Sequence, residues 1–127
     1  MTQSPGLYEP EGRLSPELLD RHRAILSVQE ELQAIDAYDQ RVEATSDAEL
    51  AAVMAHNRDE EKEHAAMLLE WLRRHDPVLD RNLRSYLFTG VPITEIEAGA
   101  AAPVPDDSGS VPAAGSFGVG SLKGESL

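Results

Sequence analysis

Between Pro16 and Pro77 the chain has neither glycine nor proline, and over that stretch its large apolar residues return at helical spacings. Leu18, Ile25, Val28, Leu32, Ile35 and Val42 follow one another at intervals of three, four and seven, which gathers them on one stripe of a helix. Ser15 is a good N-cap, Pro16 suits the first helical position and Glu17 puts an anion in the first turn, so a first helix is predicted over about 16–44. The stretch Thr45-Ser46-Asp47-Ala48-Glu49 then reads as a capping box, in which Ser46 and Glu49 each satisfy a free amide at the other's position. A second helix starts there, carries Leu50, Val53, Met54, Leu68, Trp71 and Leu72 as its apolar stripe, and ends close to His75, because the residue before Pro77 avoids the helical region. Each helix is about 43 Å long at 1.5 Å per residue, and a short turn around Ser46 folds the two into an antiparallel hairpin. One hairpin leaves most of each stripe open and two close it, so the pattern predicts an all-α protomer that dimerises into a four-helix bundle.

Beyond Pro77, Leu79, Leu83 and Leu87 at spacing four, with Tyr86 and Phe88 beside them, predict a short C-terminal helix stopped by Gly90; Ile93 and Ile96 add one more turn after Pro92. Upstream, residues 1–14 carry Pro5, Gly6, Pro10 and Gly12 without an apolar period and are expected to be a flexible arm. The helical domain is therefore 15–97. Residues 98–114 have the Ala, Pro, Asp, Gly and Ser composition of a disordered linker. Residues 115–127 differ again: Phe117, Val119 and Leu122 stand out of a Gly/Ser background, and Gly-Ser-apolar occurs twice, which is the form of a docking peptide on a tether.

Composition narrows the chemistry. With 23 acidic against 11 basic residues among 127, the formal net charge is −12, which repels phosphate backbones and anionic membrane surfaces and attracts cations. Neither nucleic acid nor a membrane is an expected partner. The absence of cysteine excludes disulfides, thiolate metal sites, iron–sulfur clusters and Cys nucleophiles, so any metal must be held by carboxylate and imidazole. Aromatic residues are only 5%, which makes the core mostly aliphatic. Neither a signal peptide nor a run of about 18 apolar residues is apparent, and a cytoplasmic protein is expected.

On a helical wheel Asn57, Glu61 and His64 fall inside the apolar arc of the second helix, and Glu31 falls inside that of the first, whereas Glu30 points to the other side. A carboxylate in a core is costly without a counter-charge or a metal, and Glu61 and His64 at i and i+3 can hold one ion together. Three blander readings stand beside this one. Glu31 can sit at the rim of its arc with its carboxylate in water, Asp39 lies on the same stripe as a rival ligand, and the run from Arg58 to Glu63 can be a solvated face with ion pairs at i and i+4. One Glu from one helix and Glu-x-x-His from the next is, however, half of the carboxylate di-iron set, which takes two of each from four helices. A twofold dimer completes helices and ligands together. Carboxylate and imidazole donors without thiolate suit iron better than structural zinc, which prefers a closed tetrahedral site. Tyr38, at the edge of the first arc, is either a hydrogen-bond partner of the ligands or simple packing. His22, His56 and His75 read as surface or helix-end histidines, and there is no Ser-His-Asp order, phosphate loop or zinc-protease signature.

These stretches, Arg21-His22-Arg23-Ala24-Ile25, Glu30-Glu31-Leu32, Tyr38-Asp39-Gln40-Arg41 and above all the run from His56 to Met67, resemble the encapsulated ferritins. The resemblance covers about residues 15–97 and resumes at Val119-Gly120-Ser121-Leu122-Lys123-Gly124, which is similar to an encapsulin targeting peptide. It implies a two-helix protomer whose dimers form a ferritin-like bundle and assemble as a ring of five. It also implies a ferroxidase that passes iron to mineral storage inside an encapsulin nanocompartment. The family's iron ligands fall on Glu31, Glu61 and His64, the di-iron centre lies at the dimer interface, and an outer metal site falls on Glu30. Gln33 stands where relatives can have Glu and Ala37 where they can have Trp, so the outer site is weaker or differently composed. Fe(II), dioxygen and an encapsulin shell protein are the partners implied. The alternatives are a non-catalytic helical cargo or adaptor protein, whose buried Glu and His only specify dimer register, and a di-metal enzyme acting on peroxide or an organic substrate.

Overall fold

The computed structural model describes residues 6–99, with side chains as far as residue 97, and every regular element in that range is helical. The elements are α1 (Pro16–Ala44), α2 (Ala48–Arg74), α3 (Pro77–Tyr86) and α4 (Ile93–Gly99), preceded by a single 3-10 turn over Glu11–Arg13. No described helix is long and apolar enough to cross a membrane. The chain divides after Asp80 into two units, each taken on its own.

In the first unit α1 and α2 pack along their length as the expected hairpin. Ser15 caps α1, its hydroxyl accepting the Leu18 amide at 3.1 Å. The cap of α2 differs from the expected box: Asp47, not Ser46, accepts the Leu50 amide at 2.9 Å, while the Thr45 hydroxyl accepts the Asp47 amide at 3.1 Å. A carboxylate one residue later meets the positive helix end with a full charge, which a serine hydroxyl cannot supply. At the far end His75 closes α2, its Nδ1 at 2.7 Å from the Trp71 carbonyl and its ring stacked 3.8 Å above the indole.

Two helices cannot enclose a core. Among the described residues only Ala24 and Leu72 are buried, while Ile25, Leu50 and Val53 are exposed, as are Leu32 (55%) and Met67 (58%). Where it is described, the segment expected to be a loose arm lies against α1. Arg13 donates its amide to the Pro10 carbonyl at 2.9 Å, and Leu7 and Leu14 are half-buried. They and α1 residues Leu18, Ile25 and Leu26 line an open groove of about 520 Å³. The open outer part of the α1 stripe gives the arm an apolar surface to lie on, which a local reading of its Pro and Gly residues cannot register. Gly6, at φ +83°, makes the approach possible: a Cβ there would stand 3.2 Å from the His22 ring.

The turn into α3 is held by charge. Arg73 bridges Glu70, at 2.8 Å, and Asp80; Arg74 reaches Glu70 at 2.7 Å, and the Asp76 carboxylate caps α3 at the Leu79 amide at 3.0 Å.

In the second unit the stop of α3 also differs from expectation. Phe88, fully exposed and at φ +62°, takes the left-handed position two residues before Gly90. This costs a bulky residue about 1–2 kcal/mol. The Thr89 hydroxyl donates to the Tyr86 carbonyl at 3.1 Å and ties off the helix end there. Beyond Pro92, α4 runs to Gly99, past the expected start of the linker at 98. The rest of that linker and the docking peptide at 115–127 lie outside the described residues, as do residues 1–5 of the arm.

Candidate metal centre

Midway along the hairpin α2 stops being apolar. From Ala55 to Ala66, twelve residues or more than three turns, it has no large apolar side chain, and the face it turns to α1 carries Glu61 and His64. Facing them on α1 is Glu31. One donor atom from each of these three residues lies within 4.8 Å of the other two, and among the described residues they are the one group of three or more such side chains that could hold a metal ion. The His64 Nδ1 stands 3.0 Å from Glu61 Oε1 and 3.7 Å from Glu31 Oε1. The two carboxylates are largely covered, with about a quarter of each side chain accessible, while His64 is nearly half exposed.

The electrostatics follow from two carboxylates sharing one imidazole. The Glu31 carboxyl is held above its usual range, first because its proton is shared with the Glu61 carboxylate, then through half-burial and the Glu61 charge. Glu61 goes the other way, lowered by accepting from Glu31 and from His64. Its hydrogen bond to Glu61 raises His64, so the two carboxylates favour the charged imidazole beside them. A divalent cation would neutralise both carboxylates and compete with protons for the three donors. The donor chemistry fits: two hard oxygens and one imidazole nitrogen suit Fe, Mn or Zn. Bonds near 2.1 Å would put adjacent ligands of one ion about 3 to 3.5 Å apart, close to the 3.0 and 3.7 Å that separate His64 Nδ1 from the two carboxylates.

The remaining sequence candidates are not brought to this group. Glu30 is exposed and stands outside it. Tyr38 is half-buried and makes no hydrogen bond to Glu31, Glu61 or His64 among the described residues. Asp39, the rival ligand on α1, pairs instead with Arg58 across the hairpin at 3.1 Å. His56 pairs on the surface with Glu60 at 3.2 Å, and the covered His22 Nε2 has no hydrogen-bond partner. Sequence reasoning did not find the Arg58–Asp39 contact. Its only sequence signal is an arginine inside the polar gap of α2.

The EncFtn-like family profile matches residues 6–90, which contain α1, α2, α3 and all three site residues. The encapsulated ferritin-like protein of Rhodospirillum rubrum is 55% identical over 127 residues, 96% of this chain and 91% of that one. A ferritin-like protein of Thermotoga maritima is 53% identical over 90 residues, 71% of this chain and 79% of its own. An encapsulin nanocompartment cargo protein of Myxococcus xanthus is 40% identical over 52 residues, 41% of this chain and 40% of that one. Among solved structures, a Nitrosomonas europaea protein superposes with a TM-score of 0.68 at 62% identity, covering 69% of this chain and 97% of that one. A match through both long helices, with nearly the whole of two relatives aligned to it, identifies the fold as well as the sequence: the chain belongs to the EncFtn-like family.

Proposed function

We propose that this chain is a ferroxidase. It binds Fe(II) at a centre shared by two protomers, passes one electron from each iron to dioxygen and releases Fe(III). The observation that carries this reading is the convergence of Glu31, Glu61 and His64, from two helices, on one point. Three donors do not fill the coordination of one iron, and Ile25, Leu32, Val53 and Met67 leave the two helices' apolar stripes open to a partner. A second copy seated there by a twofold axis covers the stripe and supplies the second Glu and Glu-x-x-His set. Iron is the substrate. Glu31 and Glu61 give up their shared proton and present oxygen donors that favour Fe(III) over Fe(II), which drives oxidation, while His64 supplies nitrogen once it has lost its proton. The same family resemblance supports five such dimers in a ring and, at Glu30, an outer iron site.

A two-helix protomer encloses no storage volume. The relatives named as encapsulated ferritin-like protein and as encapsulin cargo support a place inside an encapsulin compartment in the cytoplasm, where the mineral forms. In this reading the linker beyond α4, residues 100–114, is the tether and 115–127 the shell-binding peptide. Anaerobic Fe(II) loading followed by dioxygen should give a transient di-ferric absorption and one dimer per two irons; its absence overturns the assignment. Deleting 115–127 should leave oxidation intact and abolish co-purification with a co-expressed shell protein.

A further inference from the structure

The ligand group sits where packing is least able to position it. Over the twelve residues from Ala55 to Ala66 α2 offers no large apolar side chain, so no knob of that kind locks the register of the two helices in this stretch. Yet the pairing of Glu31 with Glu61 and His64 requires one register of the two helices.

Within this gap, besides His64–Glu31, one ion pair joins α1 to α2 among the described residues: Arg58 Nη1 to Asp39 Oδ1 at 3.1 Å. Arg58 lies three residues before Glu61, one turn along the same side of α2. Its side chain is only 22% accessible, and its Nε donates to Asp59 on its own helix at 3.1 Å, so the guanidinium is anchored on α2 while it reaches α1. A planar fork held at both ends fixes direction as well as distance, which a lone flexible ammonium does not. Among the described residues neither Arg58 nor Asp39 makes a hydrogen bond or ion pair with Glu31, Glu61 or His64, so the pair is not itself part of the ligand group.

Resting on the metal-site reading above, we propose that Arg58 and Asp39 are positioning residues, a polar clamp that sets the register of α1 against α2 and so assembles the Glu31, Glu61 and His64 donors before metal binds. The clamp takes the place of the apolar interlock that this part of the hairpin gives up to make room for ligands.

The test titrates Co(II) alone into the full chain and reads its visible absorption, which reports ligand geometry, beside helix content by circular dichroism. Arg58→Ala and Asp39→Ala should each weaken Co(II) binding by about three- to tenfold and shift the visible bands, with helix content unchanged. The exchanged pair Asp39→Arg with Arg58→Asp should recover affinity and spectrum, which simple removal of surface charge would not do. Arg58→Lys keeps the charge without the fork, should recover only part, and serves where Arg58→Ala fails to fold. Wild-type affinity and spectrum in both single variants would overturn the clamp alone. Failure of the exchanged pair to recover would also overturn it. A wild-type chain that gives no Co(II) spectrum would instead overturn the metal site, and the clamp's purpose with it.

Discussion

Two carboxylate clusters lie on α2, and they solve the same electrostatic problem in opposite ways. At its C-terminal end Glu70 is met by Arg73 and Arg74, and Arg73 also takes Asp80 from the first turn of α3. The two guanidinium groups hold Glu70 down to about 2, and Arg73 is in turn raised by its carboxylate partners. In the middle of α2, Glu31 and Glu61 share only His64, and Glu31 is raised by a neighbour of its own sign. The first cluster is complete in itself and works as a joint between helices. The second is short of positive charge, and in the function proposed above a cation completes it. Carboxylates fully paired with arginine read as structural, and carboxylates under-compensated on a half-covered face are what the proposed ligand role rests on.

The strongest way to break this contrast is to remove a ligand. Glu61→Ala and His64→Ala each delete a donor from both halves of a twofold centre, and Fe(II) oxidation should fall on the order of a hundredfold while the helices remain. Stopped-flow absorbance after mixing with dioxygen checks this, and wild-type rates in both variants would place the two clusters in the same structural class. Removing metal comes next. A dimer interface carrying two copies of Glu31 and Glu61 repels itself when empty, so chelation should lower the oligomeric state or its melting temperature, and Fe(II) should restore it. Light scattering with and without chelator measures the effect; identical masses and melting curves would count against a shared centre.

A smaller effect is expected at the joint. Arg73→Ala removes the guanidinium that Glu70 and Asp80 share and should cost about 1 kcal/mol after solvent screening, a fall in melting temperature of roughly 4–8 °C, with Co(II) affinity unchanged. Loss of metal binding in that variant would show that the two clusters are coupled. The smallest effects sharpen the sign. Glu70 is depressed in the folded state, so its contribution is complete above the ordinary carboxylate range and is lost as pH falls from about 4.5 towards about 2. Glu31 is raised, so its ionisation weighs against the metal-free fold as pH rises through and above its usual range, and acid relieves it. In chelated protein near neutral pH, Glu31→Gln should therefore raise the melting temperature slightly and Glu70→Gln should lower it. Equal shifts of one sign would remove the distinction.

What the sequence determined by itself is periodic and local. Ser15, Pro16 and Pro77 bracket a stretch without helix breakers, so the extents of α1 and α2 were legible to within a residue or two, and the wheel put Glu31, Glu61 and His64 on the inward arcs because 3.6-residue periodicity needs no knowledge of a partner. The tertiary structure decided what that periodicity cannot carry. Thr45 and Asp47 took over the cap from Ser46 because the turn brought a hydroxyl and a carboxylate to the right amides. Residues 6–14 settled on α1 because one hairpin leaves that surface uncovered. Asp39, equal to Glu31 on the wheel, went to Arg58 instead of the ligand group. Those two residues are nineteen apart in the chain, and their meeting depends on the register in which two helices lie side by side, a quantity set by all the contacts of the hairpin together and written at no single position of either helix.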